Sequence, residues 1–269
     1  MTAPPSPAED LALLCEVVRP AGRIALDHRA RGLKVHSKPG GSPVTDGDLA
    51  VDARLHRDLL AARPDYGWLS EETPDDRARL EARRVLIVDP IDGTTAYVKR
   101  KPWFAVSVAV VEDGTPLAGV VYAPALDELY AASLGGGAWC NGEALAASAT
   151  ERLEGCAMLA PSGSLEGARW AEPWPAMHVA QRNALAYRMA LVASARFDAA
   201  VSLGWKNDWD IAAGDLIARE AGARVTDQRG RPLRFNTLKA RNAGLVCAAP
   251  RLAPLILART TAIDRPVEA

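Results

Sequence analysis

The chain has 269 residues, 49% of them hydrophobic, and 32 Lys and Arg stand against 33 Asp and Glu for a formal net charge of −1. That length can bury a large core as one domain or two packed halves, and the even charge excludes an electrostatic case for nucleic-acid polymers or acidic membranes as partners. The four scattered cysteines form no C-x-x-C pair, no stretch approaches the roughly 18 apolar residues of a membrane span, and Met1-Thr2-Ala3-Pro4-Pro5 has no secretory pattern, so the expectation is a cytoplasmic protein with free thiols and neither zinc site nor disulfide framework.

Ser6-Pro7-Ala8-Glu9 spells a capping box with proline at the first helical position, and Leu11, Leu14, Cys15, Val18, Ala21 and Ala25 recur at helical spacing, which predicts a helix from about Pro7 to Arg31. Lys34 to Val44 reads as a flexible loop, after which Thr45 can cap a second helix carrying Asp48 and Asp52 through about Ala62. A lysine in such a loop is ordinarily solvated surface; beside a metal-carboxylate cluster, Lys38 would steer a phosphate. Tyr66 to Ser70 reads as a short strand with Glu71 and Glu72 at its end, where open α/β sheets collect ligands.

Val85-Leu86-Ile87-Val88 reads as a buried strand that ends in Asp89-Pro90-Ile91-Asp92-Gly93-Thr94. Pro90 biases Asp89 away from helix and Gly93 permits a tight turn, so both aspartates can face one point beyond the strand. Two carboxylates that close repel by roughly 1 to 4 kcal/mol at 4 Å unless a cation lies between them, and Mg²⁺ is the economical choice; solvated turn carboxylates are the plain alternative.

An antiparallel hairpin follows, Phe104 to Val111 and Leu117 to Tyr122 around Asp113-Gly114, with Glu128 to Ala132 as a third strand. Gly135-Gly136-Gly137 lacks the setting of a phosphate-cradling loop. A second half begins near Ser148: a strand at Cys156 to Ala160, a long loop from Ser162 to Pro175, a helix from Ala184 to Ala195, a strand at Val201 to Leu203, and a helix from Trp209 to Gly222. Short strands at Ala223 to Thr226 and Gly244 to Cys247 and a helix from Pro250 to Arg259 complete it. Trp170 and Trp174 in the long loop read as a packed pair, with a base-stacking lid as the less ordinary alternative. Asp210 falls in the first turn of a helix, where it favours the dipole and where free N–H groups also seat a phosphate.

Asp48, Glu71-Glu72, Asp89-Pro90-Ile91-Asp92-Gly93-Thr94 and Trp209-Asp210, in this order, resemble the pattern of the inositol monophosphatase superfamily of Mg²⁺-dependent, lithium-sensitive phosphomonoesterases, from Lys38 to beyond Gly222. The resemblance implies an α/β fold, an alternating α/β/α/β/α sandwich, with halves 1–147 and 148–269 in one continuous family domain. It implies two to three Mg²⁺ ions: Glu71, Asp89 and the Ile91 carbonyl on one, Asp89, Asp92 and Asp210 on a second, and a weaker third near Glu71. A water activated by these metals would lose its proton towards Glu71 or through Thr94 to Asp48. Asp210's helix, Gly93, Thr94 and Lys38 would hold the phosphate, and Glu72 would orient ligands.

Lys38 to Asp48, Tyr97-Val98-Lys99-Arg100, whose basic residues suit a second phosphate, and the spacing from Asp198 to Asp210 resemble the CysQ-like 3′(2′),5′-bisphosphate nucleotidase branch. Trp103 to Ser107 is closer to inositol phosphatases, and Asn183-Ala184-Leu185 replaces a Gly-Ser step. The expected substrate is 3′-phosphoadenosine 5′-phosphate, with inositol-1-phosphate, histidinol phosphate or a sugar phosphate as alternatives, and a silent metal- or nucleotide-binding module as the non-enzyme reading. The family pattern allows a monomer or a homodimer.

Overall fold

The computed structural model describes residues 4–38, 42–167 and 170–263. Helix α1 (Pro7–Arg31) begins at the expected capping box: Glu9 N–H donates to Ser6 Oγ at 3.2 Å and Ser6 N–H to Glu9 Oε2 at 2.7 Å. Within the expected loop from Lys34 to Val44, of which residues 39–41 lie outside the described residues, β1 (Val35–Ser37) pairs antiparallel with β2 (Pro43–Thr45). Thr45 then caps α2 (Asp46–Ala62), its Oγ1 accepting from Gly47 N–H at 3.1 Å.

The main sheet has seven strands in simple order: β3 (Gly67–Ser70), β4 (Arg84–Asp92), β5 (Ala105–Glu112), β6 (Thr115–Ala123), β7 (Glu128–Ser133), β8 (Gly137–Cys140) and β9 (Glu143–Ala144). Only β3 and β4 run parallel; the other neighbours are antiparallel. The short helix α3 (Thr94–Val98) joins β4 towards β5. The β5–β6 hairpin turns on Asp113 and Gly114, both at positive φ (50° and 75°), the conformation that matches strand twist and favours an Asp-Gly pair.

Each apolar run of this sheet is continuous because both faces are covered. Leu86 and Val88 of β4 pack with α1 and α2 side chains such as Leu14, Val18 and Leu55, whereas Val85 and Ile87 pack with Met189, Ile211 and Leu216 on the opposite face. Those residues belong to α4 (Leu185–Ala193) and α5 (Asp208–Glu220), which form the middle layer. Beyond them lies a five-stranded sheet of order β11-β10-β12-β14-β13, built from β10 (Ala157–Leu159), β11 (His178–Ala180), β12 (Ala199–Asn207), β13 (Arg224–Thr226) and β14 (Arg241–Ala248). Helix α6 (Ala253–Thr260) closes its outer face over Val246, Ala248 and Val201. The layers therefore alternate α/β/α/β/α, as the resemblance implied.

Two polar ties connect the layers. Fully buried Arg79 joins Asp75 to Asn236 Oδ1 and the Thr237 carbonyl, binding the segment after β3 to the loop before β14. The Glu220 carboxylate accepts the N–H groups of Gly135 and Gly137, both at 2.9 Å, so the triple glycine is a hairpin turn anchored to α5 and cradles no phosphate.

Candidate active site

The central turn departs from the expected picture in one instructive way: β4 continues through Pro90 to Asp92 instead of ending at Asp89. Asp89 pairs with Ser107 and Asp92 with Ala105, so three steps on β4 oppose two on β5, which is a β-bulge. Residues three apart on a regular strand face opposite sides; the extra residue reverses that parity and lets Asp89 and Asp92 reach the same cleft. Pro90, which cannot donate to a ladder, sits inside the irregularity.

Gly93 then leaves the strand at φ 89°, and a Cβ there would lie 3.0 Å from Ala184 Cβ and Ala184 N. Both the conformation and the space require glycine, and the close approach brings α4 against the turn. Asp92 consolidates it: its carboxylate accepts Leu185 N–H at 2.8 Å and Tyr187 N–H at 3.3 Å, capping a helix whose own N-cap residue, Ala184, offers no side-chain acceptor. Parallel pairing of β3 with β4 delivers Glu71 to the same end of the sheet, where its N–H bonds the Val88 carbonyl. From the far side β12 runs directly into α5, and Asp210, accepting Asn207 N–H at 2.9 Å, sits in the first turn.

These residues line one cleft of about 310 Å³ that holds Glu71, Asp89, Asp92, Thr94 and Asp210. Asp48 stands behind it: the Thr94 hydroxyl lies 3.1 Å from Asp48 Oδ1 and 3.2 Å from the Ile91 carbonyl, while Asp48 Oδ2 accepts Thr45 N–H at 2.8 Å. Lys38 Nζ reaches Glu71 Oε1 at 2.7 Å and Glu72 Oε1 at 2.8 Å, so its partners are the glutamates flanking the cleft.

Burial, then the charges of Glu71, Asp92, Asp210 and Asp48, holds the Asp89 carboxyl well above the usual carboxylate range. Burial and Asp210 push Asp92 up to about 7, burial and Glu71 push Asp210 to about 6, and burial pushes Glu72 to about 7 against the pull of Lys38. Asp48 is raised by burial as well. Asp89 Oδ1 is buried and has no hydrogen-bond partner among the described residues. An orphaned carboxylate oxygen among other carboxylates, with an all-oxygen donor set, fits a hard divalent cation. Among the described residues no three acidic, histidine or cysteine side chains stand as a closed ligand group; Glu71 is engaged by Lys38 and Asp92 by α4.

The linkage sign follows from these directions. Carboxyls held above their unfolded values of about 4 give stability that is complete below pH 4 and lost as pH rises through 6 to 7. A cation relieves that loss, so the rise in Tm produced by Mg²⁺ is expected to be small at pH 5 and to grow to roughly 5–10 °C at pH 8 with Mg²⁺ at about 100 times its Kd. Thermal melts across pH check this; an increment that does not vary with pH contradicts it.

One expectation needs correction. Tyr97-Val98-Lys99-Arg100 does not furnish the cleft with basic groups: Tyr97 is buried, its hydroxyl donating to the Ala25 carbonyl at 2.6 Å, and Lys99 and Arg100 are exposed at the far end of α3. The cations lining the cleft are Arg188 of α4 and Lys206 of β12, which sequence reasoning passed over. A lone arginine in the otherwise apolar run Ala184 to Ala195 was the available signal. Asp208, the first residue of α5, turns to the loop before β14, accepting from Asn236 N–H at 2.7 Å and Asn242 Nδ2 at 3.1 Å.

A layered α/β fold with convergent carboxylates at strand ends defines a class of metal-assisted phosphate chemistry. The chain belongs to the inositol monophosphatase family, whose model matches residues 6–265. It is 36% identical to an inositol-1-monophosphatase of Mesorhizobium japonicum over 208 residues, 74% of this chain and 77% of that one. It is 32% identical to the 3′(2′),5′-bisphosphate nucleotidase CysQ of Escherichia coli O157:H7 over 227 residues, 82% and 92% of the two chains. A solved Thermotoga maritima IMPase superposes with a TM-score of 0.80 at 28% identity, covering 94% of this chain and 96% of that one. The protein is thus a hydrolase of phosphoric monoesters, from a family that is generally Mg²⁺-dependent and typically lithium-sensitive. Among the described residues no helix is long and apolar enough to cross a membrane.

Proposed function

We propose that the protein is a Mg²⁺-dependent 3′(2′),5′-bisphosphate nucleotidase converting 3′-phosphoadenosine 5′-phosphate to AMP and phosphate, working in the cytoplasm as one continuous domain of two halves, 1–147 and 148–269. The observation that carries the reading is the presence of Arg188 and Lys206 in a cleft otherwise rich in carboxylates. Metals account for one phosphate; two fixed cations suit a second anionic group on the same substrate.

Glu71, Asp89, the Ile91 carbonyl, Asp92 and Asp210 are the groups that would hold Mg²⁺. When bound, the metal neutralises these carboxylates, polarises the phosphoryl oxygens and makes water a stronger nucleophile. Thr94 orients the attacking water and relays its proton: Oγ1 accepts it while giving its own to Asp48 Oδ1, 3.1 Å away. Burial, which raises the proton affinity of Asp48, favours that transfer. As the new P–O bond forms, the ester P–O bond breaks and the leaving oxygen takes a proton from solvent. The N–H groups of Gly93 and Thr94 and the start of α5 would hold the phosphoryl oxygens, and Lys38 positions Glu71 and Glu72.

Inositol-1-phosphate is the second reading, favoured by the 36% identity to the Mesorhizobium inositol-1-monophosphatase. Measuring kcat/KM on both substrates with Mg²⁺ separates them. The nucleotide is expected to win by at least about tenfold, the worth of one charge-assisted contact of some 1.4 kcal/mol. Comparable values remove the nucleotide preference, and nucleotide binding without hydrolysis of either substrate would make the protein a binding module.

A further inference from the structure

The cleft that gathers the carboxylates is not the roomiest in the molecule. A neighbouring cavity of about 660 Å³, a size ordinary for small-molecule sites, lies under the long loop between β10 and β11. Pro161 is a wall of both spaces, and the chain leaving β11 supplies Gln181 to the larger and Asn183 to the smaller. The two spaces therefore adjoin at Pro161.

The walls of the larger cavity are apolar and aromatic: Trp170, Trp174, Leu165, Met177 and Val179 contribute, and Glu166 is the one ionisable group among the described lining residues. Among the described residues no cation lines it, and apolar, aromatic walls suit a neutral planar group. The aromatic wall is preorganised. Trp170 and Trp174 meet edge to face, with centroids 5.0 Å apart and planes at 86°. Trp170 Nε1 donates to the Ser164 carbonyl at 3.2 Å, and the Arg259 guanidinium lies 5.0 Å from the Trp174 ring centre while donating to the carbonyls of Glu172 and Pro173. Rings held in place before a ligand arrives lose little freedom on binding it.

We infer that this cavity receives the leaving group of the phosphate ester, and that substrates of the enzyme carry a flat aromatic group, such as a nucleobase, on the alcohol side. This deepens the proposed function and rests on it: the phosphate enters among the carboxylates, and the aromatic group enters past Pro161 to the Trp170–Trp174 wall.

The test uses adenosine 2′-monophosphate and glycerol 2-phosphate, which present the same phosphate on alcohols with and without a base. Kinetics and calorimetric titration are run on the full chain and on Trp174→Ala, Trp174→Phe and Val179→Arg. Val179 is 49% exposed, so the arginine can fill the mouth without disturbing the core. Trp174→Ala and Val179→Arg are expected to lose tenfold or more in kcat/KM and affinity for the nucleotide, the scale of a lost base–aromatic stack, while glycerol phosphate changes less than about twofold. Trp174→Phe should retain most of the nucleotide affinity. Equal effects on both esters, or no effect on either, overturn the inference. If the unmodified protein hydrolyses neither ester, the phosphatase reading of this cleft fails separately, and the titrations decide the cavity: nucleotide affinity that falls in both variants supports it, and unchanged affinity overturns it.

Discussion

Asp89→Asn is expected to lower kcat/KM by about 10³-fold, equivalent to some 4 kcal/mol of transition-state stabilisation, and to abolish the Mg²⁺-dependent rise in Tm. The same variant should melt at a higher temperature than the unmodified protein when both are metal-free. Asp89 is buried, its Oδ1 has no partner among the described residues, and Glu71, Asp92, Asp210 and Asp48 all oppose its ionisation. Such an orphaned group costs about 1–3 kcal/mol, which a neutral amide relieves in part. Activity lost together with apo-state stability would instead mark Asp89 as a structural residue. Steady-state kinetics and paired melts with Mg²⁺ and with chelator distinguish the two.

Asp92 carries two loads, and its variants should separate them. Asp92→Asn keeps an oxygen for one α4 N–H but removes the charge, so Mg²⁺ affinity and turnover should each fall by 10- to 100-fold or more with the fold intact. Asp92→Ala removes both acceptors, leaving Leu185 and Tyr187 N–H groups buried without partners, and should additionally destabilise the chain by about 1–3 kcal/mol. Calorimetric Mg²⁺ titration and chemical denaturation measure these effects. Unchanged Mg²⁺ affinity in Asp92→Asn would reduce the residue to a helix cap.

The double load of Asp92 illustrates what could and could not be read in the sequence. The run Val85 to Asp92 announced a buried strand with two carboxylates at its end, because continuous apolar residues need cover on both faces. The bulge that turns both aspartates to one side was hidden, since parity in a strand depends on the partner, here Ser107 and Ala105, and not on local spacing. Capping of α4 by Asp92 was hidden for the same reason: Leu185 lies 93 residues away in sequence. Helices α1 and α2 were readable nearly to the residue, because Ser6, Glu9, Thr45 and Asp48 form their caps locally.

Elements with weak local signals were missed. Strands β1 and β2 fell within an expected loop, and β11 is three residues long and half exposed, so neither periodicity nor turn chemistry marks it. Among the cleft residues, the carboxylates were legible through turn and strand-end positions. Arg188 and Lys206 were not, because a cation on a buried helix acquires meaning only when packing shows which cavity it lines. The paired tryptophans were legible as a packed aromatic contact, but their proximity to the cleft depends on the shared wall at Pro161.

The most direct measurement is anomalous X-ray diffraction from crystals grown with Mn²⁺ in place of Mg²⁺. The account predicts metal peaks at about 2.0–2.3 Å from Asp89 carboxylate oxygens, with Glu71 and the Ile91 carbonyl on one ion and Asp92 and Asp210 on another. Absence of anomalous density beside Asp89 at saturating Mn²⁺, or ions held only by surface carboxylates, would contradict it.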